Sequence, residues 1–232
     1  MASTESVDFE GPVGRLEGIL MSPKEAPVAA AVVCHAHPLH GGMMHFKAVF
    51  RAAKALQSTG LAVLRFNFRG VGRSEGAHDD GIGEQEDAGA ALSLMQQRFP
   101  TLPLVLGGFS FGSVVALRVA ARDGRVRAVF ALGFPLGSEG DAATLEAPRQ
   151  PRLFVQGEQD QFGPSEALRA LVEALPPPRE VVIVPGANHF FDGQLDALQG
   201  AIADWAEGRP WQPWPAGHGF GEGGARISRS RS

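Results

Sequence analysis

The sequence predicts an α/β fold built on a mostly parallel sheet, and three observations predict it. Short apolar runs alternate with segments of helical periodicity along most of the 232 residues. Several runs are apolar almost throughout rather than at every second position, the pattern of strands covered on both faces. Two strand-like segments joined by a Gly-Pro turn precede the alternation and read as an antiparallel hairpin.

The hairpin is "SVDFE" and "GRLEGILMSP", with "GPVG" between them. "PVAAAVVCHAH" is the first parallel strand. Residues 45–60 follow as a helix, with Val49, Ala52, Ala53 and Leu56 on one face and Gly60 as its stop. "LAVLRFNF" is a strand, and a loop rich in glycine and charge leads to a helix over residues 84–99. Its first turn carries acids, which the positive end of the helix dipole favours. "LPLVLGG", "VRAVFALG", "PRLFVQGE" and "REVVIVPG" are further strands, making eight with the hairpin. Helices are expected over residues 111–123, 164–175 and 190–208, and "SEGDAATLEAPRQ" reads as a polar loop.

Composition bounds the function. With 44% hydrophobic and 20% charged residues the chain can build a sizeable core. Its net charge of −4, with a basic cluster only at the extreme C-terminus, argues against a nucleic-acid partner. The lone Cys34 excludes an internal disulfide. The N-terminal segment lacks the basic start and apolar core of a signal peptide, and no run reaches the ~20 apolar residues that span a bilayer. The expectation is a soluble, cytoplasmic protein with one domain over residues 1–207. Residues 208–232, rich in proline and glycine, are expected to form a flexible tail.

In a parallel sheet the chemistry gathers beyond the carboxyl ends of the strands. Ser110 stands there in "GFSFG", a G-x-S-x-G pentapeptide between a strand and a helix. Such a turn is tight; glycines at 108 and 112 avoid clashes, and the turn exposes the hydroxyl at a helix N-terminus. A serine nucleophile needs a base and a group to orient it. Two histidines follow Ser110 in the chain. His218 lies in the tail, whereas His189 follows a strand in "VPGANHFF", so His189 is the candidate base. Asp160 and Glu158 in "FVQGEQDQFGP" compete as the orienting acid. Asp160, farther past the strand, is favoured to accept the imidazole Nδ1–H.

Other residues carry rival or lesser roles. His35, His37, His40 and His45 raise a zinc site, but Pro38 and the glycines turn the chain away and no acidic or cysteine ligand follows. No metal is expected, and His35 is expected to be buried and hydrogen-bonded. Cys34 reads as a small core residue. Arg69 and Arg73 could bind an anionic substrate or brace their loop against Glu86 or Asp87.

"GFSFG", "GEQD" and "GANHFF", in that order, together with "RFNFRGVGRSEG", resemble the α/β-hydrolase superfamily. "CHAHPLHGGMMHFK" resembles its small, lid-poor esterases close to the dienelactone-hydrolase-like branch. Dienelactone hydrolases carry cysteine at the elbow, so Ser110 argues against their substrate. The resemblance implies an eight-stranded twisted sheet with helices on both faces and a minimal cap. It implies an oxyanion hole made by the backbone N–H of Phe111 and that of His37, with Leu39 as fallback, since Pro38 has no N–H. Only about 18 residues, from Gly133 to Gln150, are available for a lid. An open pocket walled by Leu39, Met43, Met44, Phe109 and Phe134 is therefore expected. The expected activity is cofactor-free serine hydrolysis of small esters or thioesters with short acyl chains through Ser110, His189 and Asp160. Amide or peptide hydrolysis, or acyl transfer, on the same residues is the alternative, followed by a non-catalytic binding module. The sequence leaves the oligomeric state open.

Overall fold

The computed structural model describes residues 1–137, 140–208 and 211–212. Eight strands form one sheet: β1 Ser3–Gly11, β2 Gly14–Ser22, β3 Ala29–Cys34, β4 Leu61–Phe66, β5 Leu104–Phe109, β6 Val126–Leu132, β7 Arg152–Gly157 and β8 Arg179–Val184. Their order is β1-β2-β4-β3-β5-β6-β7-β8. β1 and β2 pair antiparallel, and β2 joins β4 antiparallel; every other pairing is parallel. This is the predicted hairpin added to the edge of a parallel sheet.

Strand pleating explains the continuous apolar runs. In β3, Ala30, Val32 and Cys34 face one core, while Ala29, Ala31 and Val33 face the other. The first core is closed by α2 (Gly83–Arg98), α3 (Phe111–Ala120) and α5 (Ser165–Ala174). The second is closed by α1 (Lys47–Ser58) and α6 (Leu195–Glu207). Burial on both faces leaves few polar positions inside the central strands, Arg65 in β4 and Gln156 in β7 among them, so polar residues beyond the strand ends stand out.

The structure shifts some expected boundaries. α1 begins at Lys47 and α6 at Leu195, later than periodicity alone predicts. Before α6, residues 188–194 turn on short backbone bonds, with Phe191 at φ 55°. The polar segment after β6 holds a short helix, α4 (Ala142–Glu146), whose start is capped by Asp141 through Thr144 N–H at 2.8 Å. Of the expected tail, Trp211 is buried in the second core, and residues 213–232, including Trp214 and His218, lie outside the described residues.

The glycine-rich loop after β4 is braced rather than open. Arg69 is buried and makes a forked contact to Asp87 (Nη2–Oδ1 2.8 Å), while Asp87 also accepts the Arg69 N–H at 2.9 Å. Arg73 Nε donates to Glu17 Oε2 at 2.8 Å. Both arginines thus serve the loop. Among the described residues no helix is long and apolar enough to cross a membrane.

Candidate active site

The sheet order reverses direction between β3 and β5, and the crevice beyond their carboxyl ends receives Ser110. Ser110 sits between β5 and α3 at φ 54°, ψ −124°, a backbone state that side-chain-bearing residues rarely adopt. Its N–H is tied to Leu132 O at 2.8 Å. A Cβ on Gly108 would run into the Gly112 carbonyl, and one on Gly112 into the carbonyls of Cys34 and His35. The two glycines let α3 press against β3 and β5, which fixes Ser110 at the crest of the turn.

Two later loops bring its partners. His189 follows β8 and Asp160 follows β7. His189 Nε2 lies 3.0 Å from Ser110 Oγ, and His189 Nδ1 lies 2.9 Å from Asp160 Oδ2 and 3.0 Å from Oδ1. A carboxylate only accepts, so Nδ1 carries the proton and Nε2 presents its lone pair to the serine hydroxyl. Asp160 Oδ1 also accepts the N–H groups of Phe162 (2.8 Å) and Gly163 (3.1 Å). Its Oδ2 accepts from Gln156 Nε2 at 2.9 Å. Glu158 instead holds the neighbouring turn by accepting the Gly186 N–H at 2.7 Å. The local sequence therefore separates the two acids: one caps its own loop towards His189, and the other points to the loop after β8.

The opposite side of Ser110 is formed by the loop after β3. His35 is fully buried there; its Nδ1–H donates to Ala36 O at 2.6 Å and its Nε2 accepts the Phe68 N–H at 3.1 Å. Burial pushes its pKa down to about 4, partly offset by the bond to Ala36 and the charge of Glu84, so it is neutral at pH 7. With both nitrogens engaged it has none left for a metal. A single 3₁₀ turn, Pro38–His40, follows. Leu39 N–H donates to His37 Nδ1 at 3.2 Å, which removes Leu39 as the free donor. The N–H groups of His37 and Phe111 have no hydrogen-bond partner among the described residues. The loop is packed by rings: His37 lies 5.0 Å from the Phe111 ring, 4.4 Å from His40 and 4.7 Å from His78. His78 in turn bonds Glu84 at 2.7 Å through Nδ1.

Comparisons with known proteins give the family. The family model described as "Alpha/beta hydrolase domain" matches residues 29–196. The protein RP471 of Rickettsia prowazekii is 36% identical over 206 residues, spanning 85% of this chain and 86% of that one. The chain belongs to the α/β-hydrolase family. Among solved structures it is similar to an alpha-beta serine hydrolase homologue from Coxiella burnetii, at 40% identity and TM-score 0.80, covering 86% of this chain and 96% of that one. It is also similar to XC6422 of Xanthomonas campestris, described as an a/b serine hydrolase without lid, at 35% identity and TM-score 0.82, covering 91% and 96% of the two chains.

In this α/β hydrolase the residues expected to wall the pocket divide. Leu39 (71% exposed) and Met43 are at the surface. Met43 borders an open groove of about 470 Å³ with Gly41, Phe46 and Phe190. Phe109 and Phe134 are fully buried and Met44 nearly so, which corrects the expectation that they line open space. Each is drawn inward by its strand or loop. The Phe109 ring packs under His189 (5.1 Å) and on Phe46 (5.2 Å). Phe134 N–H donates to Gln156 Oε1 at 2.8 Å, and Met44 N–H to Asn67 Oδ1 at 2.8 Å. The expected histidine cluster is also redrawn: His35 is separately bonded, His45 borders the groove, and His78 joins His37 and His40. Among the described residues no three His, Cys, Asp or Glu side chains are grouped to hold a metal.

Sequence inspection missed four contributors: Gln156, His78, Phe162 and Phe190. A glutamine at the end of the apolar run of residues 153–155 in β7, two residues before "EQD", was the signal for the first. Phe190 adjoins His189, which could have marked it. His78 and Phe162 lie in turn-rich loops, and nothing in their local pattern shows which way the loops fold.

Proposed function

We propose that this α/β hydrolase cleaves small carboxylic esters or thioesters with short acyl chains. Ser110 is the nucleophile, His189 the general base and acid, and Asp160 the group that orients His189. The observation that carries the proposal is the unbroken chain Asp160–His189–Ser110, with contacts of 2.9 and 3.0 Å, beside two backbone N–H groups without partners among the described residues.

The chemistry follows from those contacts. His189 Nε2 takes the Ser110 proton as Oγ attacks the carbonyl carbon. The carbonyl oxygen gains negative charge, for which the N–H groups of Phe111 and His37 are the donors. The carboxylate of Asp160 favours the imidazolium that forms and keeps the ring from turning. His189 then returns the proton to the leaving oxygen as the carbon–oxygen bond breaks. Water, activated by the same imidazole, releases the acyl group from Ser110. The proposal needs no cofactor.

A fluorophosphonate probe, read with turnover of short-chain nitrophenyl esters, tests it. The wild-type protein is expected to take up one probe and turn the esters over, and Ser110→Ala to do neither. Labelling that survives in Ser110→Ala removes Ser110 as nucleophile.

A further inference from the structure

The surroundings of His189 point to one part of the substrate. We propose that this site selects esters whose alcohol portion is a neutral aromatic group, held by Phe162, Phe190 and Phe46. The inference rests on the ester hydrolysis proposed above and names its leaving group.

Reaction geometry fixes where the alcohol lies. The tetrahedral carbon carries Ser110 Oγ, the oxyanion, the acyl carbon and the leaving oxygen. The oxyanion faces the N–H groups of Phe111 and His37. The leaving oxygen takes the proton from His189 Nε2 and keeps the electron pair of the breaking carbon–oxygen bond. The group bonded to that oxygen therefore sits against the His189 ring and what surrounds it.

Phenylalanines surround it. Phe162 meets His189 edge-on at 4.7 Å and Phe190 does so at 5.2 Å, with 6.5 Å between the two phenyl rings. They remain 47% and 39% exposed, although most large apolar side chains among the described residues are not. Phe46 lies 6.1 Å from Phe190 and stacks on buried Phe109, so the apolar surface continues into the groove of about 470 Å³ beside Met43. That volume is of the size that holds a small ligand. An aromatic ring placed there finds edges and faces at stacking distance, which aliphatic chains use less well. The groove's rim carries Lys47 and Asp192, charges of opposite sign, so it offers no net attraction to a charged alcohol. On the far side of Ser110 the rings are the imidazoles of His37, His40 and His78 with buried Phe111 among them, and the exposed apolar side chain is the aliphatic Leu39.

The test compares benzyl acetate with methyl acetate, whose alcohols leave with similar basicity. The expected result is a kcat/KM about tenfold or more higher for benzyl acetate, the size of discrimination an apolar subsite supplies. Phe190→Ala and Phe162→Ala should each cut that ratio severalfold, mainly through KM for the benzyl ester. Phe190→Leu should restore only part of it. Fluorophosphonate labelling, which needs no alcohol subsite, should persist in all three variants and serves to check that they are folded. Equal kcat/KM for the two esters, or a ratio untouched by the substitutions, with labelling intact, overturns this proposal alone. Absence of both labelling and turnover overturns the hydrolase proposal and this one with it.

Discussion

The two sides of Ser110 are held in different ways, one by bonds that converge on a side chain and the other by a turn closed on its own backbone and packed with rings. On the His189 side the acid is fixed by polar bonds: Asp160 accepts from two backbone N–H groups, from Gln156 and from His189 itself. On the His37 side the loop is closed on itself: the N–H groups of His40 and Gly42 donate to His37 O at 3.0 Å and Leu39 N–H to His37 Nδ1, while ring contacts among His37, His40, His78 and Phe111 pack it. Directional bonds suit a side where a proton must move along one line. Backbone donors need only a loop of fixed shape, which turn bonds and packing together can provide.

The largest break in that comparison is Asp160→Asn. The substituted amide would favour the wrong imidazole tautomer, and kcat with a nitrophenyl ester is expected to fall about 10⁴-fold. A fall below tenfold would mean that Gln156 and the loop alone orient His189.

The other side is probed by a pair of substitutions. His37 has φ −52°, which proline accepts, so His37→Pro removes the N–H with the backbone angle kept. His37→Ala keeps the N–H and loses only the imidazole. The expected fall is about 10²–10³-fold in kcat for the proline and much less for the alanine. Equal losses would assign the effect to the imidazole rather than to the backbone donor.

A smaller effect sharpens the role of His35, which anchors this side through Ala36 O and Phe68 N–H. Its pKa falls from the ordinary 6.5 to about 4 in the folded chain because it is buried. Unfolded chains therefore bind the proton more readily between those values. Its contribution to stability is full above pH 6.5 and is lost as pH falls towards 4, about 3 kcal/mol in all. Urea melts across that window should show the loss in the wild type and a flatter profile in His35→Asn. An unchanged slope would place the acid sensitivity elsewhere.

Much of this was legible in the sequence because burial on both faces makes a parallel strand mostly apolar. The polar residues that end such strands then mark the crevice. Ser110, Asp160 and His189 each follow one, and the structure joins them by hydrogen bonds. Arg69 and Arg73 were ambiguous between ligand and brace, and Asp87 and Glu17 decide for the brace. The phenylalanines were not legible. Phe109, Phe134, Phe162 and Phe190 are one residue type near strand ends or loops, yet two are sealed in the core and two flank His189 in the open.

The sequence by itself determined the order of the strands and of the helices other than α4, the hairpin, the tight turn at Ser110 and the three polar residues at strand ends. These follow from short-range causes: side-chain periodicity, glycine sterics and the chain order of strands. Only the tertiary structure decided that Leu39 N–H is already bonded, that His78 replaces His35 in the ring cluster, and that Phe162 and Phe190 frame the imidazole. Those outcomes depend on how loops from distant strands meet, and loop residues carry no periodic pattern that fixes their direction.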